Sequence, residues 1–201
     1  MNEQKQRLRE KIWKIMEEKN IARFPLPCFG RIPNFVGSEK AAEKLRELEE
    51  WKNAKVVVAN PDFAQQKVRQ FALLDRKILI MASPKLRSGY LLIKPDLVKG
   101  KEEIAATIKG AFRYGKKLKS LIKPDLIITG CVAVSYKTFY RLGKGGGYGD
   151  EEIRTFKEKF GEIPVATTVH DVQVVEEVPI EDGDTKIDII VTPTKIIRRE
   201  K

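Results

Sequence analysis

Apolar runs of four or five residues, each long enough to cross one sheet, alternate along this chain with longer helix-forming stretches. Lys55–Ala59 (Lys-Val-Val-Val-Ala), Lys77–Met81, Leu126–Thr129 and Val165–Thr168 are the clearest of them. A strand that is apolar on both faces must be covered on both faces, as happens where helical crossovers join parallel strands. The stretches Phe63–Leu74, Glu102–Leu121 and Asp150–Phe160 read as those helices, and Val172–Val175 and Ile187–Val191 as further strands. The expected fold class is α/β, a three-layer αβα sandwich with a mainly parallel central sheet. No internal repeat and no linker-like stretch interrupts the pattern, so a single domain is expected over residues 1–201.

Ahead of the first strand, Glu3–Asn20 reads as a helix with the apolar stripe Leu8, Ile12, Ile15 and Met16. Lys5 and Arg9 fall on the same stripe, since 5, 9, 12 and 16 follow helical spacing. Either both side chains snorkel at a helix end, or both reach into a site beneath the helix. Phe24–Gly37 holds three prolines and two glycines and reads as a loop. Ser38 is the expected N-cap of a helix Glu39–Trp51 whose Ala41, Ala42, Leu45 and Leu48 face the core.

Composition removes whole classes of chemistry. With two cysteines, Cys28 and Cys131, there is no disulfide framework, and with one histidine, His170, there is no Cys/His zinc site. Most hydrolase templates go with the histidines. No run reaches the ~20 apolar residues of a membrane span, and the charged N-terminus has no secretion signal, so a cytoplasmic protein is expected. The formal charge is +11, which raises a nucleic-acid reading. The charge is uneven, however. Six basic residues and no acid lie between Glu103 and Pro124, and six acids with Lys186 alone lie over 176–188. A separated basic stripe and acidic patch also suit a site for polyphosphate and a metal. The basic stripe itself reads as a solvated helix face.

In parallel sheets ligands bind beyond the carboxyl ends of the strands. The loops Asn60-Pro61-Asp62, Ala82–Tyr90 and Gly130–Asp150 are therefore expected to crowd one edge, although Asn60-Pro61-Asp62 has the form of a helix-starting turn. The last loop contains Arg141-Leu142-Gly143-Lys144-Gly145-Gly146-Gly147-Tyr148-Gly149-Asp150, with five glycines in seven positions. Glycines bare the backbone amides, Arg141 and Lys144 add positive charge, and the following helix points its N-terminus at the same place. Asp150 is placed to cap that helix or to hold a cation. The run is not a P-loop and matches G-x-G-x-x-G in no register.

The run resembles the signature of the 5-formyltetrahydrofolate cyclo-ligase (5,10-methenyltetrahydrofolate synthetase) family, approximately Arg-Leu-Gly-Arg-Gly-x-Gly-Tyr-Tyr-Asp. Lys5-Gln6-Arg7-Leu8-Arg9, Gln173 with Val178-Pro179, and Asp184…Asp188 followed by Val191-Thr192-Pro193 are similar to other elements of that family. Arg31-Ile32-Pro33-Asn34-Phe35, Pro84-x-Leu86-Arg87-x-Gly89 and Val169-His170-Asp171-x-Gln173 resemble the methenyltetrahydrofolate synthetase domain-containing subgroup. The resemblance implies a cyclo-ligase / NagB-RpiA-CoA transferase-like fold and an ATP- and Mg²⁺-dependent closure of 5-formyltetrahydrofolate to the 5,10-methenyl form. In that reaction the formyl oxygen takes the γ-phosphoryl group before N10 attacks.

By the same resemblance Lys5, Arg9 and Lys144 are the catalytic cations. Arg141, Gly143, Gly145, Gly146, Gly147 and Tyr148 join them around the nucleotide, and Asp150 and Asp188 hold Mg²⁺. On the folate side the candidates are Tyr148, Arg87 with Lys85 in the same loop, and Glu39, which equally suits a helix cap. Two departures stand on that side: Gly149 replaces the second aromatic of the signature, and Phe24–Gly37 has no match to the family's folate loop. The alternatives are a nucleotide-binding protein without the reaction, and an RNA-binding protein, for which no RNA-recognition signature is present. His170, between two strand candidates, reads mainly as a hydrogen-bonded structural residue.

Overall fold

The computed structural model describes residues 2–200. Its strands are β1 (Ala22–Arg23), β2 (Asn34–Phe35), β3 (Val56–Ala59), β4 (Ile78–Ala82), β5 (Tyr90–Ile93), β6 (Lys116–Lys117) and β7 (Leu126–Thr129). They continue with β8 (Ala133–Ser135), β9 (Arg141–Leu142), β10 (Val165–Thr168), β11 (Val174–Val175), β12 (Ile189–Val191) and β13 (Ile196–Arg198). The helices are α1 (Glu3–Glu18), α2 (Ser38–Leu45), α3 (Glu49–Asn53), α4 (Gln66–Leu74), α5 (Glu102–Ala105), α6 (Ile108–Tyr114) and α7 (Tyr148–Phe160).

Eight strands form the main sheet in the order β13-β12-β10-β7-β3-β4-β5-β6. The five central strands, from β12 to β4, run parallel, and β13, β5 and β6 add antiparallel edges. Alternate residues of β3 enter opposite cores. Val57 and Ala59 pack with Ala41, Leu45 and Leu73 of α2 and α4, whereas Val58 packs with Ile153 and Phe156 of α7. The sheet is thus covered by helices on both sides, the three-layer arrangement expected. A small sheet, β11-β8-β9, folds beside it.

Several element boundaries move. The helix expected over Glu39–Trp51 is two helices, and its N-cap is Gly37 at φ 87°, with Ser38 already inside the first turn. Glu102–Leu121 also divides: Thr107 caps α6 by accepting from Gly110 N, and Lys116–Lys117 becomes an edge strand. Phe63–Gln65 is a 3₁₀ turn before α4, and Asp171–Gln173 a 3₁₀ turn before β11. None of the described helices is long and apolar enough to cross a membrane.

The strand order reverses at β3. The chain leaves it on one side toward β4 and returns on its other side at β7, so the loops after β3 and β7 diverge and leave a crevice between them. Asn60 closes the base of that crevice: its Nδ2 donates to Thr129 Oγ1 at 3.0 Å, and its Oδ1 accepts from Gly130 N at 3.2 Å. Buried Arg69 of α4 holds the loop from below, donating to the carbonyls of Asn60, Asp62 and Ala106 at 2.7–2.8 Å.

Candidate functional site

A cavity of about 430 Å³ opens at this crevice, within the ~300–1,000 Å³ usual for small-molecule sites. The glycine run forms one wall. At its end Gly147, at φ 78°, is the N-cap of α7 and has no side chain to cap the first amides of the helix. Those N–H groups, with the positive end of the helix dipole, are left for an anion. Lys144 is exposed on the loop and makes no ion pair among the described residues.

Arg141 lies beneath the loop, its side chain 3% exposed. Its Nη2 donates to Gly130 O at 2.7 Å, and its Nη1 lies 3.2 Å from Asp150 Oδ1. Burial, the largest single influence, would lower this guanidinium's pKa, but the charge and hydrogen bond of Asp150 together with Cys131 and Glu152 outweigh burial and raise it. Asp150 Oδ1 also accepts from Thr185 N and Oγ1. The backbone at Gly149 presses on the same guanidinium: a Cβ there would fall 2.6 Å from Arg141 Nη2. In this chain the Arg141 guanidinium occupies the space that a side chain at position 149 would need.

Lys5 and Arg9 do reach under the helix into the cavity wall. Arg9 Nε donates to Gly143 O at 2.7 Å, which fastens α1 to the loop 134 residues away, and burial lowers its pKa. Lys5 Nζ is held by Asp184 at 2.6 Å and Glu181 at 3.3 Å. Tyr148, Gly143, Gly145, Gly146 and Gly147 line the cavity with them.

Three expected residues lie elsewhere. Asp188 precedes β12 at the amino-terminal edge of the parallel strands, opposite the cavity. Its carboxylate accepts from Val165 N at 2.9 Å and pairs with Arg199 at 2.6 Å, so the second metal ligand expected there is corrected: the acids of that segment that line the cavity are Glu181 and Asp184. Glu39 is exposed in the first turn of α2 and Arg87 exposed in the loop after β4, and neither lines the cavity, whereas Lys85 in that loop does. His170 lies outside it too. Its Nδ1 accepts from Val172 N in a capping box closed by Gln173, and burial lowers its pKa.

The family model described as 5-formyltetrahydrofolate cyclo-ligase matches residues 1–193. The chain belongs to the 5-formyltetrahydrofolate cyclo-ligase family. The methenyltetrahydrofolate synthase domain-containing proteins of Bos taurus and Homo sapiens are 40% and 38% identical to it, each over 96% of this chain and 53% of their own length. The chain therefore spans about half the length of these curated relatives. The 5-formyltetrahydrofolate cyclo-ligase of Escherichia coli is 36% identical over 76 residues, 38% of this chain and 40% of its own. In fold the chain is similar to the 5,10-methenyltetrahydrofolate synthetase of Aquifex aeolicus, with TM-score 0.62, 23% identity, and coverage of 98% of this chain and 94% of that one.

Family motifs carried the loop and its two remote cations, but other cavity residues have no motif to mark them. Asn60, Asp62 and Phe63 line it directly after β3. Their position beyond a strand end was the available signal, and the turn-forming character of Asn-Pro-Asp masked it. Glu152 also lines the cavity. Its signal was a single acid on the apolar stripe of α7.

Proposed function

We propose that this cavity binds a magnesium nucleotide together with a reduced folate, and that the chain catalyses ATP-driven closure of 5-formyltetrahydrofolate, or a related reduced pterin, to its 5,10-methenyl form. The observation that carries the reading is the glycine run. Uncapped amides of α7, the unpaired Lys144 and the Asp150 carboxylate share a cavity with the apolar side chains of Pro25, Ile32, Phe63 and Leu86. The polar part suits phosphates and the apolar part a ring system.

The Asp150 carboxylate tests whether Mg²⁺ fits. Arg141 and Thr185 engage its Oδ1, while Oδ2 has no partner among the described residues. Among those residues no group of three His, Cys, Asp or Glu side chains gathers around a common point. This donor set suits an ion held by one carboxylate, phosphate oxygens and water, the usual manner of Mg²⁺, and not an all-protein cage. Bound there, the ion would neutralise phosphate charge.

The chain's own contribution is positioning and charge, which suffice for phosphoryl transfer in the absence of a strong base. The loop amides and Lys144 orient the phosphates. Arg9 holds the loop through Gly143 O, and Lys5 faces the same anions in competition with Asp184. The apolar part of the cavity keeps water from the activated formyl group. A cytoplasmic setting, where both substrates occur, belongs to this proposal.

Purified protein mixed with 5-formyltetrahydrofolate should develop methenyltetrahydrofolate absorbance only when Mg-ATP is present. Asp150→Asn, which keeps the Thr185 contacts but loses the charge, should lower the rate by about 100-fold or more. A wild type that binds ATP and forms no product leaves a nucleotide-binding protein of the same fold.

A further inference from the structure

Helix α7 turns Gly149, Glu152, Ile153 and Phe156 to one side, and the last two are buried with Ile80, Ile127 and Ile190. Glu152 shares this core-facing stripe and is 5% exposed. Among the described residues its carboxyl makes no hydrogen bond or ion pair, and it lines the cavity. Such a group costs free energy in an empty protein, where a leucine would cost none. Asp62, at the carboxyl end of β3, lines the same cavity with a carboxyl that is likewise unpaired. Among the described residues no third metal-ligating side chain joins the two, so a cation cage is not what they build.

The same cavity is lined by apolar Phe63, Leu86 and Ile108 as well as by Arg141 and Lys144, and the Arg141 charge acts on both carboxyls. Unpaired carboxyl oxygens in a cavity that also carries apolar side chains match a flat ring with hydrogen-bonding nitrogens on one edge. We propose that Glu152, backed by Asp62, reads the aminopyrimidine edge of a ligand ring.

That edge places an exocyclic amino group beside a ring nitrogen. A carboxylate accepts two hydrogen bonds from the amino group and a protonated ring nitrogen, and a carboxylic acid accepts one and donates one. The match therefore holds in either protonation state. Adenine and pterin both present this edge, and the cyclo-ligase reading, on which this inference rests, brings both into the cavity.

Calorimetric titration of wild type, Glu152→Leu and Glu152→Gln separates the sources. The probes are ATP, inorganic tripolyphosphate, 5-formyltetrahydrofolate and p-aminobenzoylglutamate, which lacks the pterin. Glu152→Leu should lose about 30-fold or more in affinity for whichever ring occupies the subsite, ATP or 5-formyltetrahydrofolate, and stay within about twofold for the two ringless probes. It should melt no lower than wild type, because leucine completes the stripe. Glu152→Gln, whose amide still pairs with the edge, should recover part of the loss.

Unchanged affinity of Glu152→Leu for both ring-bearing probes overturns the inference. An equal loss for tripolyphosphate overturns it too, because it marks a role in the fold alone. A wild type that binds both rings without turnover overturns the cyclo-ligase reading and leaves this subsite standing. A wild type that binds neither ring overturns both.

Discussion

At Gly149 the backbone of α7 runs against the guanidinium of Arg141, which is itself held at both ends, by Gly130 O and by Asp150. An alanine there cannot be accommodated by a simple swing of the arginine, because the swing breaks one of those contacts. Gly149→Ala should destabilise the fold by about 1–3 kcal/mol and weaken ATP binding, read by thermal melting and calorimetry. Arg69 works by the same logic one loop away. Its three carbonyl partners have no solvent to replace it, so Arg69→Leu should cost about 2–4 kcal/mol in chemical denaturation. The residues that motif spacing reveals are those whose identity serves the ligand directly, such as Lys144 and Asp150. Arg69 and Glu152 are special only through what surrounds them, and surroundings are set by the fold, which local patterns do not specify. Asp188 shows the converse: a motif marked it, and the strand it precedes places it at the wrong edge.

Strands β3, β4, β7 and β10 were legible because both their faces are buried, leaving an uninterrupted apolar run. Strands β8, β9 and β13 are two or three residues long, too short for any period to show. Lys116–Lys117 forms an edge strand for which two exposed lysines have no propensity, paired because Leu91 and Leu92 of β5 offer their backbone. Exposed lysines on that edge also discourage a further strand from adding to it. The division of Glu39–Trp51 into α2 and α3 likewise depends on a distant partner. Arg46, at the end of α2, pairs with Asp75 at 2.6 Å, and Trp51 Nε1 of α3 donates to the same carboxylate at 2.8 Å. Burial would raise the Asp75 carboxyl, but these hydrogen bonds outweigh it and hold the group below its ordinary value. A carboxyl depressed in the folded chain stabilises it fully above its unfolded pKa, and the contribution fades as pH falls through the folded value. Asp75→Asn should therefore melt lower than wild type at pH 7, by about 1–2 kcal/mol after allowance for solvent at Arg46. The gap should close below about pH 4.

Across the whole molecule the site is assembled from parts far apart in sequence: Lys5 and Arg9 from α1, Asp62 from the loop after β3, Lys85 after β4, and the glycine run before α7. A parallel sheet with a reversal at β3 brings them together, since every loop that follows a central strand emerges at the same edge. Alternation of buried strands and helices revealed the sheet but not its strand order, and so the edge could be anticipated while its membership could not. Titration of Mg-ATP into the protein, followed by calorimetry, tests the assembled site most directly. One site per chain is predicted, weakened about tenfold or more when Mg²⁺ is chelated or when Lys144 is changed to alanine, with the melting temperature of the ligand-free Lys144→Ala protein unchanged. Binding that is indifferent to both changes, or no binding at all, would contradict it.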